Sequence, residues 1–134
     1  MKLSEAIRLG SMLKPQRFAD GSIPDPNRAC ALEAAALAIS SLEQPVTWAQ
    51  LCCPSPERDL FPILRHRVVS CPAKGCLFPH DTMKNEIIAV NIYHLNDTHH
   101  WTRERIANWV EIQEQNLEAA QEISKPSESV LVQV

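Results

Sequence analysis

Between Pro79 and Pro126 the chain carries neither glycine nor proline, and no other stretch of its 134 residues is so free of helix breakers. A segment this long without punctuation folds into extended regular elements, and the spacing of its apolar residues favours helices. The first is expected from about Met83 to Leu95, with Asp81 or Thr82 as its cap. Ile87, Ile88, Ala89, Val90, Ile92, Tyr93 and Leu95 leave it apolar almost all round, which suits a helix at the centre of a core. The β-branched run also suits a strand, but its length argues for the helix. The second helix is expected from about Arg103 to Ile123. Thr102 is placed to cap it, and Trp101 and Ile106 have hydrophobic-staple spacing. Ile106, Trp109, Val110, Gln113, Leu117 and Ala120 fall on one face, with Glu111, Glu114, Gln115 and Glu118 on the wet side.

Upstream, Ser4 is a candidate cap and Gly10 a candidate stop for a short first helix. Pro15, Gly21, Pro24 and Pro26 mark residues 14–27 as loop. Asp25 can then cap an alanine-rich helix with Pro26 in its first turn, which Pro45 ends. Its dense small residues allow a neighbouring helix to approach closely. Residues 46–80 are irregular, broken at Pro54, Pro56, Pro62, Pro72 and Pro79. Thr47 can cap a single turn, Trp48-Ala-Gln-Leu-Cys52, and Ser55 and Pro56 can open another helix running to about Arg67, in which Pro62 should bend or restart the chain. The expectation is therefore an all-α fold of four or five helices around a buried central helix, with a Pro/Cys-rich middle. Residues 1–123 would form one domain and 124–134 a tail.

Aromatic residues are only 5% of the chain, so the core must be built from aliphatic side chains. A net charge of −3 shows neither the basic excess of a nucleic-acid binder nor the acidic excess of a DNA mimic. Five cysteines, two of them adjacent at Cys52 and Cys53, suit no disulfide framework and point to a reducing compartment. The N-terminal residues have no apolar run of secretory type, and no stretch approaches a membrane span. These features together predict a cytoplasmic protein.

Three stretches can carry chemistry. Cys71-Pro-Ala-Lys-Gly-Cys76 offers two thiolates across a glycine turn, with His80 four residues on as a third donor and Cys53, Cys52 or Cys30 as a fourth, the makings of a structural zinc site. Zinc would explain how so punctuated a segment stays folded; the alternative is buried free thiols acting as small hydrophobes. The second, His94-Leu-Asn-Asp-Thr-His-His-Trp101, holds His94, Asp97 and His99, which can bind a metal or do acid–base work. Asn96 and Asp97 equally suit a structural turn between helices. The third is the helix pair itself, which with Arg103, Arg105 and Asn108 leading could read DNA as a helix-turn-helix. Its linker is long for that role, and Glu111, Glu114 and Glu118 would repel phosphate. No phosphate-binding glycine loop or serine elbow is present.

The run His94-Leu95-Asn96-Asp97-x-His99-x-Trp101-Thr102-x-x-x-Ile106-Ala107-x-Trp109-Val110 resembles the closing signature of a family of short uncharacterised bacteriophage and bacterial proteins. Leu3–Gly10 and Cys30-Ala31-Leu32 are similar to the same family. The resemblance implies a phage or prophage setting and no particular activity. The residues favour a non-enzymatic protein-interaction module with a host or phage protein as partner, displaying His94, Asn96, Asp97, His99, Trp101 and Arg103 around the turn. The alternatives are a metal-dependent enzyme using His94, Asp97 and His99, and a small DNA-binding regulator.

Overall fold

The computed structural model describes residues 1–18, 25–42, 45–56, 60–76 and 84–124. Among them are five α-helices: α1 (Leu3–Ser11), α2 (Ala31–Leu42), α3 (Trp48–Cys52), α4 (Ile88–Asp97) and α5 (Arg103–Ser124). A 3-10 turn (Pro62–Arg65) and two short antiparallel strands, β1 (Arg67–Val68) and β2 (Glu86–Ile87), complete the order. The protein is thus mostly helical, with one small sheet that an all-α reading did not include. Among the described residues no helix is long and apolar enough to cross a membrane. The expected tail at 124–134 lies outside the described residues apart from Ser124.

α1 packs on both α2 and α5. Ser4 does not cap α1. It sits inside the first turn, buried, and its hydroxyl donates to the buried Glu114 carboxylate of α5. Nor does Gly10 stop the helix. It lies within α1 where the helix meets α2, and a Cβ there would stand 1.6 Å from the Ala34 carbonyl oxygen. Gly10 is required by the close approach of two backbones, and Ala31, Ala35 and Ala38 keep the facing helix equally lean. Arg8 adds a surface link from α1 to α5 through Asn108 at 2.7 Å and Glu111 at 3.3 Å.

α2 begins later than the sequence suggested. Asp25 turns the chain instead, accepting from Asn27 N–H at 2.9 Å and taking Arg28 N–H on its carbonyl. The residue ahead of α2 is Cys30. Its carbonyl accepts from Ala34 N–H at 2.9 Å, its N–H donates to Glu33 at 3.3 Å, and its sulfur lies 3.5 Å from Glu33 N–H. This is the reciprocal arrangement of a capping box, with a thiol in place of the hydroxyl. Burial pushes the Cys30 thiol up to about 12, so it stays protonated.

α4 touches α2, α3, α5 and the 3-10 turn. It starts at Ile88, five residues later than expected, because Glu86–Ile87 pair with Arg67–Val68 before the helix begins. The β-branched run therefore opens as strand and continues as helix. The expected caps, Asp81 and Thr82, lie outside the described residues. Asn85, at φ +59, makes the turn into β2, and Ile88 N–H closes the ladder on His66 O at 2.8 Å. The helix is not uniformly apolar. Ile88, Ala89, Ile92 and Leu95 are buried, but so are Asn91, His94 and Asn96, while Tyr93 is exposed. α5 is capped by Thr102, whose Oγ1 accepts from Arg105 N–H at 3.1 Å. Its inner face is Arg103, Ile106, Ala107, Val110 and Glu114. Glu114 belongs to that face rather than to the wet side, and Ala120 is exposed.

Candidate metal centre

The β1–β2 ladder holds the segment after Val69 against the start of α4. The next residues form the Cys71–Cys76 turn, in which Gly75 adopts φ +72, a conformation that L side chains rarely take. That turn lies over the far end of α4. Cys76 Sγ comes within 3.6 Å of His94 Nε2, and Cys71 Sγ within 3.6 Å of His99 Nε2. The two imidazole nitrogens are 3.1 Å apart, with their rings at 88° to one another. All four donor atoms lie within 4.8 Å of one another. The four side chains therefore form a group that could hold a metal ion.

His99 reaches this group because of how α4 ends. Asn96 and Asp97 were expected to form the bend, but both belong to the helix. The reversal is made by Thr98, His99 and His100. His100 takes φ +53, and Trp101 N–H donates back to Leu95 O at 3.0 Å. Histidine is among the residue types enriched in this left-handed region. The His100 ring packs on Phe18, with centroids 4.7 Å apart. The reversal brings His99 alongside His94, five positions earlier.

Asn96 fixes the same corner from inside. It is completely buried and fully hydrogen-bonded. Its Nδ2 donates to Arg17 O at 2.8 Å and to Asp97 Oδ1 at 2.7 Å. Its Oδ1 accepts from Gln16 Nε2 at 2.8 Å and from Ala31 N–H, at the start of α2, at 3.3 Å. Gln16 also donates to Trp101 O at 2.7 Å and accepts from Arg103 N–H at 3.3 Å. Buried Arg103 bonds Ala29 O at 3.2 Å and Ser11 O at 3.3 Å. One polar knot thus ties the 16–17 segment, α2, α4 and α5 together. It leaves the His94 and His99 rings facing the cysteine turn.

Burial acts on two of the donors in the direction that resists charge. It raises the Cys71 thiol, with the nearby Cys76 adding to the rise, and it lowers His94, with His99 adding to the fall. A metal ion held by this group would take its cysteines as thiolates and its histidines as neutral imidazoles.

Of the expected metal ligands, Cys71 and Cys76 are in this group. Cys53 is not: it sits exposed after α3, its sulfur 3.5 Å from that of Cys52. His80 lies outside the described residues. The other two donors, His94 and His99, were legible as metal-binding types but belonged to a separate reading. Asp97, their expected companion, is not in the group and accepts a hydrogen bond from Asn96. Arg103, expected at a recognition surface, is buried in the polar knot. Trp101 is half-buried, with the Arg105 guanidinium 3.9 Å from its ring centroid. Comparisons with protein-family models, curated proteins and solved structures return no match for this chain.

Proposed function

We propose that the protein is a small, non-enzymatic protein-interaction module whose irregular middle is held by one structural zinc ion on Cys71, Cys76, His94 and His99. The observation that carries this reading is the spacing of the four donors. With Zn–N near 2.0 Å and Zn–S near 2.3 Å, a tetrahedron separates two nitrogens by about 3.3 Å and a nitrogen from a sulfur by about 3.5 Å. The corresponding distances here are 3.1 Å for the nitrogen pair and 3.6 Å for two of the four nitrogen–sulfur pairs, Cys71–His99 and Cys76–His94, with every donor within 4.8 Å of the others. Two thiolates and two imidazoles fill a tetrahedron and leave no position for water or substrate, which marks structural rather than catalytic zinc. The ion would join residues 71–76 to the end of α4, doing for this segment what a larger core does elsewhere. The interaction role rests on the absence of a catalytic set in the sequence and on the exposed apolar residues Met12 and Leu13 after α1. The phage or bacterial setting rests on the resemblance of residues 94–110 alone.

Metal analysis of the purified full chain tests the zinc reading. One equivalent of zinc is expected, with Cys71 and Cys76 protected from thiol reagents until a chelator is added. Less than a tenth of an equivalent, with both thiols reacting at once, would overturn it.

A further inference from the structure

The two segments that the four donors bring together also form the walls of an open groove of about 520 Å3. Pro72, Ala73 and Lys74, from the turn between the two cysteines, make one wall; His100, Trp101 and Arg105 contribute to the other. We infer that this groove is the docking site of the module, that its occupant is an acidic peptide segment of a partner protein, and that the metal keeps the groove in shape. This rests on the interaction reading above and names the chemistry of the partner.

Charge carries the argument. The chain as a whole is at −3, yet among the described residues the groove is lined by Lys74, Arg105 and two histidines and by no acidic residue. Elsewhere among the described residues, Lys2, Arg8, Arg17 and Arg28 are each paired with a carboxylate, while Lys14, Arg67 and Arg103 bond backbone carbonyls. Lys74 and Arg105, both exposed, enter no such pair among the described residues. Arg105 is also pre-positioned. Its guanidinium lies 3.9 Å from the centroid of the Trp101 ring, and that stacking leaves its N–H edge free for a carboxylate. Lys74 supplies a second cation on the facing wall. Phosphate polymers fit less well. Trp101 packs on the core and carries Arg105 on its ring, so it offers a base little room to stack, while the remainder of α5 is acidic.

The groove and the metal are coupled because Lys74 lies between two of the ligands and His99 is both ligand and groove wall. Without the ion, nothing covalent or coordinate would hold residues 72–74 opposite Arg105.

The test is anisotropy of a fluorescein-labelled hexaglutamate peptide titrated with the zinc-loaded full chain at low salt. Saturable binding is expected, weakened at least fivefold by Arg105→Ala and by Lys74→Ala, by raised salt, and by removal of zinc. Both variants change exposed side chains, and unchanged zinc content would show that they fold. No binding, binding indifferent to both substitutions, or equal or tighter binding of a thymidine decamer would overturn the inference. Binding unchanged by zinc removal would overturn the coupling. Zinc is assayed on the same samples, so the two readings fail separately. A zinc-loaded chain that ignores the peptide defeats only the groove, and a zinc-free chain that binds it defeats the metal centre and the coupling while leaving the groove's preference for acidic peptide standing.

Discussion

His94 and His99 present their Nε2 atoms to each other across 3.1 Å, one from inside α4 and the other from beyond its end. Two basic nitrogens at this distance need either a shared proton or a shared cation. The two sulfurs, each 3.6 Å from one of the nitrogens, complete a set that a cation satisfies at once. The ligand set is therefore testable residue by residue. Cys71→Ser, Cys76→Ser, His94→Ala and His99→Ala should each lower zinc affinity by more than about 100-fold, because even second-shell losses reach that size. Cys53→Ser should leave it unchanged. Chelation should lower the melting temperature by about 10 °C or more, since structural zinc contributes directly to folding free energy. Competition with a chromogenic chelator measures the first effect and calorimetry the second. Retention of zinc by both histidine variants would show that the ligands are elsewhere.

Gly10 provides a prediction whose sign separates two explanations. At an ordinary exposed helical site Gly→Ala stabilises by about 1 kcal/mol. Here the added methyl would meet the Ala34 carbonyl at 1.6 Å, and α1 cannot withdraw from α2 without opening contacts around Leu3, Ile7 and Leu32. Gly10→Ala should destabilise by about 3 kcal/mol, in the range of overpacked cores. Urea denaturation reads the difference. A neutral or stabilising result would mean that the two helices do not cross at this glycine.

Much of this arrangement is legible in the sequence, and the failures have identifiable causes. The cap at Thr102, the short α3 and the restart at Pro62 were readable because each depends on neighbouring residues alone. Gly10 reads as a stop in the sequence because a glycine needed for close approach looks the same as one needed for a turn. Glu114 was placed in solvent because its partner, Ser4, is 110 positions away. For the same reason the four candidate donors read as two separate pairs in the sequence. The cysteine pair and the histidine pair are each local, but only the strand ladder and the reversal at His100 superimpose them. The histidines do not read as partners of the cysteine pair because sequence spacing cannot show which end of α4 the cysteine turn will overlie.

Asn96 should be among the least replaceable polar residues. Its four hydrogen bonds reach Arg17, Gln16, Asp97 and the first turn of α2, and it is completely buried. Asn96→Leu has similar volume but strands Arg17 O, Ala31 N–H and the Gln16 amide. With each buried unsatisfied group costing about 1–3 kcal/mol, the loss should exceed about 3 kcal/mol. Asn96→Asp keeps the acceptor, removes the donor to Arg17 O and sets a charge beside Asp97. It should fall between wild type and the leucine variant at neutral pH. Equilibrium denaturation ranks the three, and a leucine variant as stable as wild type would show that the knot contributes nothing net.

The Arg17–Glu33 pair gives the fold a defined acid dependence. Burial alone would raise the Glu33 carboxyl, but hydrogen bonds from Arg17 and from Cys30 outweigh it and hold the group below its usual value of 4.5. A carboxylate whose folded pKa is depressed stabilises the protein above its unfolded pKa, and that contribution is lost as pH falls through the folded value. The pair is about a quarter exposed on each side, so solvent screening limits its contribution to about 1 kcal/mol. Glu33→Gln should therefore cost about 1 kcal/mol at pH 7 and progressively less below pH 4.5. Any bound zinc would leave both proteins in acid, so the informative quantity is the difference between their unfolding free energies at each pH, from which a metal contribution cancels. If that difference stays constant from pH 7 to pH 3, Glu33 acts as a neutral cap on Cys30 and its charge does not stabilise the start of α2.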